Sequence, residues 1–289
     1  MPYIDVDQKR LNYADSHPQG PPSGGWTYVF IHGLGSSQNY YFPVIPHLTP
    51  HHRCVTMDTY GSGRSVYTGL DQTIGTIAAD VVGMMDALKI RQAVVVGHSM
   101  GGASALHLAA QYPDRVLALV TIGPVHPTPS TGQIFEKRIQ VVSEGGSPHD
   151  TRLRRAFADL VKRITTIDGM EPMANTVPTA ATGSRSTPLQ KAFIRELILA
   201  QNPLGYISLC RAISTASAPE YAAVKAPLLV IAGDEDKSAP LDGCKHILAL
   251  VSSMTKKLEI LPGVGHWHCI EASDQIGQLI SNFSKVAIS

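Results

Sequence analysis

The segment Val94-Val95-Val96-Gly97-His98-Ser99-Met100-Gly101-Gly102 constrains this chain more than any other. A β-branched apolar run leads into Gly-x-Ser-x-Gly, and an Ala/Leu/Gly-rich stretch follows from Met100 to Tyr112, stopped by Pro113. That order predicts a strand, a tight turn and a helix. Glycines at 97 and 101 stand where side chains would collide across so sharp a turn. The serine is presented to its surroundings in a strained conformation. The helix N-terminus behind it offers backbone N–H groups to negative charge.

The rest of the chain extends this unit into a sheet. Apolar runs at Trp26–Ile31, Cys54–Met57, Ala93–Val96, Val116–Ile122, Leu228–Ala232 and Leu258–Leu261 are continuous, as in strands covered on both faces. Between them, Ile74, Ile77, Ala78, Val81, Val82, Met85 and Leu88 form one helical stripe, and a last helix starts near Ala272. Strand–helix alternation predicts an α/β fold with a mostly parallel, doubly wound sheet flanked by helices.

The alternation stops between about residues 125 and 222. Helical patterns at Ile134–Val142, Thr151–Ile164 and Leu189–Ala200 are separated there by Gly145-Gly146, Pro172, Pro178 and Gly183. We expect residues 1–124 and 223–289 to form the core domain and 125–222 an inserted helical cap over the carboxyl edge of the sheet. Residues 11–25 carry three glycines (Gly20, Gly24, Gly25) and three prolines (Pro18, Pro21, Pro22) and read as a surface loop.

A serine hydroxyl is a poor nucleophile until a base takes its proton. His266 follows the sixth apolar run in Gly263-Val264-Gly265-His266-Trp267-His268, later in the chain than both serine and acid. That matches the order Ser…Asp…His. His268 is its neighbour and rival; the preceding Gly-x-Gly and Glu271 downstream favour His266. The acid is sought in Gly233-Asp234-Glu235-Asp236-Lys237, after the fifth run, where it would fix the histidine tautomer. Asp236 is the expected residue and Asp234 the alternative. The preceding loop, Gly123-Pro124-Val125-His126, has no carboxylate. His32-Gly33-Leu34-Gly35 follows the first strong run and supplies the second oxyanion donor, so the backbone N–H groups of Leu34 and Met100 are the expected pair. His32 itself reads as structural. Gly33 and Trp267 are candidate substrate contacts.

Composition removes other classes. Lys+Arg number 24 and Asp+Glu 23, a net charge of +1, which makes no electrostatic case for nucleic acid or an anionic membrane. No apolar run reaches the roughly 20 residues of a membrane span, and Met1 to Arg10 has no apolar signal core; a cytoplasmic location is expected. Cys54, Cys210, Cys244 and Cys269 form no CxxC pair, so reduced, buried thiols are expected and no metal. Gly61-Ser62-Gly63 lacks the third glycine of a dinucleotide fingerprint, Val66 standing there. No cofactor is called for.

Taken together, these residues resemble the α/β-hydrolase superfamily over nearly the whole chain. The resemblance rests on His-Gly-x-Gly, on Asp58 to Ser65 (Asp-x-x-Gly-x-Gly-x-Ser), on Gly-His-Ser-Met-Gly, on Gly-x-x-Asp and on Gly-His with Glu271. Asp168-Gly169-Met170, Asn202-Pro203-Leu204-Gly205-Tyr206 and Cys210-Arg211-Ala212-Ile213 are similar to segments of the 3-oxoadipate enol-lactonase-like and carboxylesterase branch. The resemblance implies cleavage of a small ester or lactone through an acyl-enzyme on Ser99, by a monomer or homodimer. Thr59-Tyr60 departs from the usual Arg-Gly, and Trp267 is more typical of C–C-bond and epoxide relatives. Ser36-Ser37 replaces the Gly-Pro-Gly usual in C–C hydrolases. A slow-turnover lactone receptor, a C–C bond hydrolase and a cofactor-free haloperoxidase remain alternatives on the same fold. Arg152, Arg154 and Arg155 are candidates to meet a substrate carboxylate, though a solvated helix face accounts for them more simply.

Overall fold

The computed structural model describes residues 2–144 and 169–288. Eight strands form one sheet: β1 (Tyr3–Val6), β2 (Lys9–Asp15), β3 (Thr27–Ile31), β4 (Arg53–Met57), β5 (Ala93–His98), β6 (Val116–Ile122), β7 (Leu228–Gly233) and β8 (Lys256–Leu261). Their order is β1-β2-β4-β3-β5-β6-β7-β8. From β4 to β8 across the sheet every pairing is parallel, whereas β1–β2 and β2–β4 are antiparallel. The expected α/β fold with a mostly parallel, doubly wound sheet is therefore the observed one.

Winding reverses at β3. The chain steps outward to β4 and then crosses back to β5 on the other side. Such a switch point opens a crevice beyond the carboxyl ends of the strands. The central strands β3, β5 and β7 are buried along their whole length. Helices α1 (Ile74–Ala87), α2 (Met100–Gln111), α7 (Leu241–Leu250), the short α8 (His268–Glu271) and α9 (Ser273–Ile288) accompany the sheet. Thr73 caps α1 with a reciprocal bond to Thr76, which fixes where that helix begins.

Two strands escaped the sequence pattern. The β1–β2 hairpin lies at the sheet edge and buries little beyond Val6 and Leu11, so it has no continuous apolar run. Residues 11–15 therefore belong to β2 and not to the loop expected there. The opposite edge strand, β8, is partly exposed and not covered on both faces.

Between β6 and β7, α3 (Pro129–Glu144), α4 (Glu171–Ala180), α5 (Pro188–Leu199) and α6 (Pro203–Ser214) follow, with no strand among the described residues. The expected Thr151–Ile164 helix lies outside the described residues, as do Arg152, Arg154, Arg155 and Asp168. Helices α4 and α6 were hidden by their prolines. Pro172 and Pro203 sit in first turns, where a missing N–H costs nothing, and Asn202 caps α6 through Gly205. Pro178 lies inside α4, close to its end. Among the described residues no helix is long and apolar enough to cross a membrane.

Candidate active site

Ser99 stands between β5 and α2 with φ 54° and ψ −116°, a conformation that L side chains rarely adopt. Its N–H donates to Ile122 O at 2.9 Å, and its carbonyl accepts from Ala103 N at 3.1 Å and Val125 N at 3.2 Å. The two glycines of the elbow are steric requirements. A Cβ at Gly97 would drive into the Gly101 carbonyl, and one at Gly101 into the carbonyl of Ile31 on β3.

The sheet brings three sequence-predicted residues into one line. His266 Nε2 lies 2.9 Å from Ser99 Oγ, and His266 Nδ1 lies 2.8 Å from Asp236 Oδ2. Asp236 Oδ1 accepts the N–H groups of Ser238 at 2.8 Å and Ala239 at 2.9 Å. Burial pushes the Asp236 carboxyl up, but the charge and hydrogen bond of His266 outweigh it and hold the group below its ordinary range. Asp234, the alternative acid, instead accepts Gly263 N at 2.7 Å.

His266 is held by its backbone as well. Its N–H donates to Ala181 O at 2.7 Å. Its carbonyl lies 2.8 Å from His98 Nε2 and 2.9 Å from His268 Nδ1. Both rings must donate there, since a carbonyl only accepts. His268 Nε2 accepts from Gly233 N at 3.0 Å, so the ring is neutral; burial lowers its pKa to about 4. Burial also drives His98 well below 6.5, with the neighbouring histidines adding to it. His98, His266 and His268 cluster closely enough to face one metal ion. They would have to surrender these hydrogen bonds to bind it.

Glu271 brackets the same loop. Its Oε1 accepts Trp267 N at 2.9 Å, and its Oε2 accepts Gly265 N at 3.0 Å and Gly183 N at 2.7 Å. Gly183 belongs to the insertion, so one carboxylate ties insertion to base loop. Glu235 repeats the device, accepting Ser184 N and Ser184 Oγ, each at 2.6 Å. Sequence reading used Glu271 only to favour His266 and missed His98, His268, Glu235 and Ala181 as supports. His98 lay in plain view inside the elbow motif.

On the opposite side, His32 is structural, as expected. Its Nδ1 donates to Gly33 O at 2.8 Å and its Nε2 accepts Thr59 N at 3.0 Å. Burial keeps it neutral by lowering its pKa. Asp58 holds the glycine turn, accepting Gln38 N at 2.8 Å and Arg64 N at 3.0 Å. Gly33 packs behind the elbow: a Cβ there would lie 2.9 Å from Ser99 Cβ. It is not among the described residues that border the adjacent cavity. Leu34 is, and Met100 opens α2 directly after Ser99.

That cavity has room for little more than a water, about 30 Å³, between the elbow and the insertion. Ser99 and His266 open onto it. Leu34, Val125, Phe135, Val177, Ile198 and Trp267 make its apolar wall, and Arg138, Tyr206 and Ser238 are its polar members. A larger surface hollow of about 610 Å³ beside Trp26, Arg53 and Gln92 lies at the amino ends of the strands, away from these groups. Arg138 was missed in the sequence. Its signal was a charge set in the buried stripe of α3, three residues after Phe135 and four before Val142. The four cysteines are buried and unbridged.

A serine elbow after β5, an aspartate after β7 and a histidine after β8, on this sheet, define the α/β-hydrolase class. The chain belongs to that family: the model of the alpha/beta hydrolase fold matches residues 29–273. It is 30% identical over 275 residues to a 2-hydroxy-6-oxo-6-phenylhexa-2,4-dienoate hydrolase of Comamonas testosteroni, covering 92% of this chain and 85% of that protein. A 2-hydroxy-6-oxononadienedioate/2-hydroxy-6-oxononatrienedioate hydrolase of the same species is 28% identical, with the same coverage of each chain. The enol-lactonase from Burkholderia xenovorans LB400 superposes with a TM-score of 0.81 at 25% identity, covering 98% of this chain and 99% of that one.

Proposed function

We propose that this protein is a serine hydrolase that cleaves a small carboxylic ester or lactone through an acyl-enzyme on Ser99. The observation that carries this reading is the hydrogen-bonded line Ser99 Oγ–His266 Nε2, His266 Nδ1–Asp236 Oδ2. His266 takes the proton as Ser99 Oγ attacks the carbonyl carbon. The same proton then passes to the leaving alkoxide as the C–O bond breaks. Water, deprotonated by His266, attacks the acyl carbon and frees Ser99. The amides of Leu34 and Met100 hold the oxyanion, each worth roughly 3 kcal/mol of barrier by analogy with other such donors. No metal or cofactor takes part in these steps. Helices α3 to α6 act as the cap that excludes water and shapes the substrate. The cavity is too small for an ester as it stands, so substrate entry requires the cap to yield.

The dienoate hydrolases favour a second reading. Their named substrates contain no ester, so hydrolysis there must break a carbon–carbon bond, and the Trp267 after the histidine suits that branch. Steady-state kinetics on a panel of aryl esters, lactones and a 2-hydroxy-6-oxodienoate separate the two. Ester or lactone turnover that Ser99→Ala reduces about 10⁴- to 10⁶-fold supports the proposal. Turnover surviving in Ser99→Ala removes Ser99 as the nucleophile. Preference for the dienoate selects the second reading.

A further inference from the structure

His98, the residue before the nucleophile, takes no part in the proposed proton transfers, yet it holds the base that does. Ser99 Oγ lies 2.9 Å from His266 Nε2, and His98 Nε2 lies 2.8 Å from His266 O. Adjacent residues of the elbow thus grip one histidine at both ends, by its side chain and by its carbonyl. The two hydrogen bonds close a ring that runs from Ser99 through His266 and back through His98. His268 Nδ1 donates to the same carbonyl at 2.9 Å, but it ties the base loop to β7 through Gly233 N, not to the elbow. The remaining ties of His266 itself run to Ala181 O and to Asp236 Oδ2.

The His98 ring is packed from the side of the expected oxyanion loop. Tyr40 stacks on its face, with centroids 4.3 Å apart and planes 22° from parallel. A Cβ at Gly33 would lie 2.7 Å from its Nδ1. Burial keeps the ring neutral. The one ring proton is needed on Nε2, because a carbonyl only accepts, so Nδ1 keeps a bare lone pair. That Nδ1 is buried with no hydrogen-bond partner among the described residues. An orphaned buried acceptor is destabilising. Packing alone therefore does not account for an imidazole here: an apolar side chain would fill the space against Tyr40 and leave no nitrogen unpaired. What the imidazole adds is the Nε2–H.

We infer that His98 is a positioning residue whose Nε2–H, bonded to the His266 carbonyl, keeps the base in register with the elbow once Ser99 is acylated. The inference rests on the proposed acyl-enzyme reading. Before attack, the Ser99 hydroxyl itself links the elbow to His266 Nε2. In the acyl-enzyme that oxygen carries the acyl group and no proton, so this link is gone. His98 is then the tie of His266 to the elbow, and water must be deprotonated by a base held in place through it. His98 is not among the described residues that border the cavity, so it acts through His266 and not on the substrate.

The test is stopped-flow and steady-state kinetics with 4-nitrophenyl acetate on wild type, His98→Leu and His98→Gln. Leucine keeps the bulk and removes the donor, whereas glutamine keeps an N–H donor near the place of Nε2. In His98→Leu, kcat should fall roughly 10- to 100-fold, the scale of a displaced catalytic group. Its kcat/KM, which reports acylation, should fall no more than about threefold. A burst of about one 4-nitrophenolate per active site should precede the slow phase, because acyl-enzyme accumulates. His98→Gln should recover kcat to within about threefold of wild type. Equal falls in kcat and kcat/KM, or equal losses in both variants, mean that the ring only packs against Tyr40, and they overturn the inference. Should neither variant fold, nitrogen NMR of isotope-labelled histidine in the wild type decides. A protonated Nε2 on His98 that stays protected from exchange after Ser99 is phosphorylated by diethyl 4-nitrophenyl phosphate supports the inference. The opposite tautomer, or loss of that protection in the adduct, refutes it. Ser99-dependent turnover that His98→Leu leaves unchanged sinks this inference alone, whereas turnover surviving in Ser99→Ala sinks the acyl-enzyme reading beneath it.

Discussion

The two walls of the cavity are built on different principles. The sheet-side wall is backbone held by backbone. Ser99 is pinned through its N–H and carbonyl, and Gly33, Gly97 and Gly101 let three loops approach closer than any side chain would allow. His266 has every backbone polar group engaged, with two neutral imidazoles on one carbonyl. The insertion-side wall is side chain on side chain: Phe135, Val177, Ile198 and Tyr206 project from four different helices. Where the walls meet, the polar contacts concentrate at Ala181 to Arg185 against the loops carrying Asp236 and His266. The difference teaches how such a fold separates duties. Chemistry that tolerates little displacement sits on over-determined backbone. On the proposed reading, substrate fit rests on helices whose side chains can be exchanged.

The largest effect should come from the sheet side. Asp236→Asn keeps the side chain's shape but removes the charge that opposes His266. A drop of about 10⁴-fold in kcat is expected, because the amide favours the wrong imidazole tautomer. Steady-state kinetics above pH 7 measure it. A loss under about tenfold would mean that Asp236 does not orient the base, and the contrast between the walls would lose its anchor. Asp234→Asn, by comparison, should remain near wild type, since among the described residues the Asp234 carboxylate accepts the Gly263 amide and does not touch His266.

How far this contrast was legible in the sequence follows from its physics. The elbow was legible because a glycine-flanked serine between an apolar strand and a helix has few other uses. His266 and Asp236 were legible by chain order and by loop position after a strong apolar run. The central parallel strands announced themselves because burial on both faces demands continuous apolar residues. The β1–β2 hairpin at the sheet edge did not, since one or two buried residues per strand leave no pattern. The insertion was hardest. Pro172 and Pro178 read as helix breaks, yet the first occupies a first turn and the second stands near a helix end. Arg138 was overlooked because a lone arginine in a helix is ordinary; only the fold shows that its stripe faces Ser99.

Acid should loosen the sheet side next. His268 is neutral in the folded protein, with a pKa of about 4 against an ordinary 6.5. The unfolded chain therefore takes up this proton first. Its contribution is complete above pH 6.5 and is lost as pH falls toward 4, a loss of about 3 kcal/mol. His98, also kept neutral by burial, acts in the same direction. Asp236, held below its ordinary range by His266, adds a further acid loss at lower pH. Urea midpoints at pH 7.5 and 4.5 should show the fall, and His268→Gln should flatten it. An equal slope in the variant would show that His268 is not the group responsible.

Glu271 tests whether the junction between the walls matters to the chemistry. Glu271→Gln keeps one acceptor but forfeits the charge shared by the amides of Gly183, Gly265 and Trp267. Displacing His266 by a fraction of an ångström should lower kcat about 10- to 100-fold with little change in KM. Glu271→Asp should recover less than half of the lost rate, since the shorter arm cannot span all three amides. A rise in KM without a fall in kcat would place Glu271 with substrate binding instead.

The smallest effect on rate should come from the insertion wall, and it is there that the comparison is most exposed. Ile198 is buried at the cavity edge on α5. Ile198→Ala removes three carbons facing the substrate and no group facing His266. If the insertion governs fit alone, kcat on a short acyl ester should stay within about threefold of wild type. The preference between a short and a longer acyl chain should nevertheless move toward the longer by roughly tenfold, the scale of one or two methylenes in an apolar pocket. Paired kcat/KM measurements on acetyl and hexanoyl 4-nitrophenyl esters read both quantities at once. A kcat loss comparable to that of Glu271→Gln, with chain preference unmoved, would show that the helices tune the catalytic geometry as strongly as the loops do. The two walls would then have to be regarded as one machine, with the contacts at Ala181 to Arg185 as its coupling.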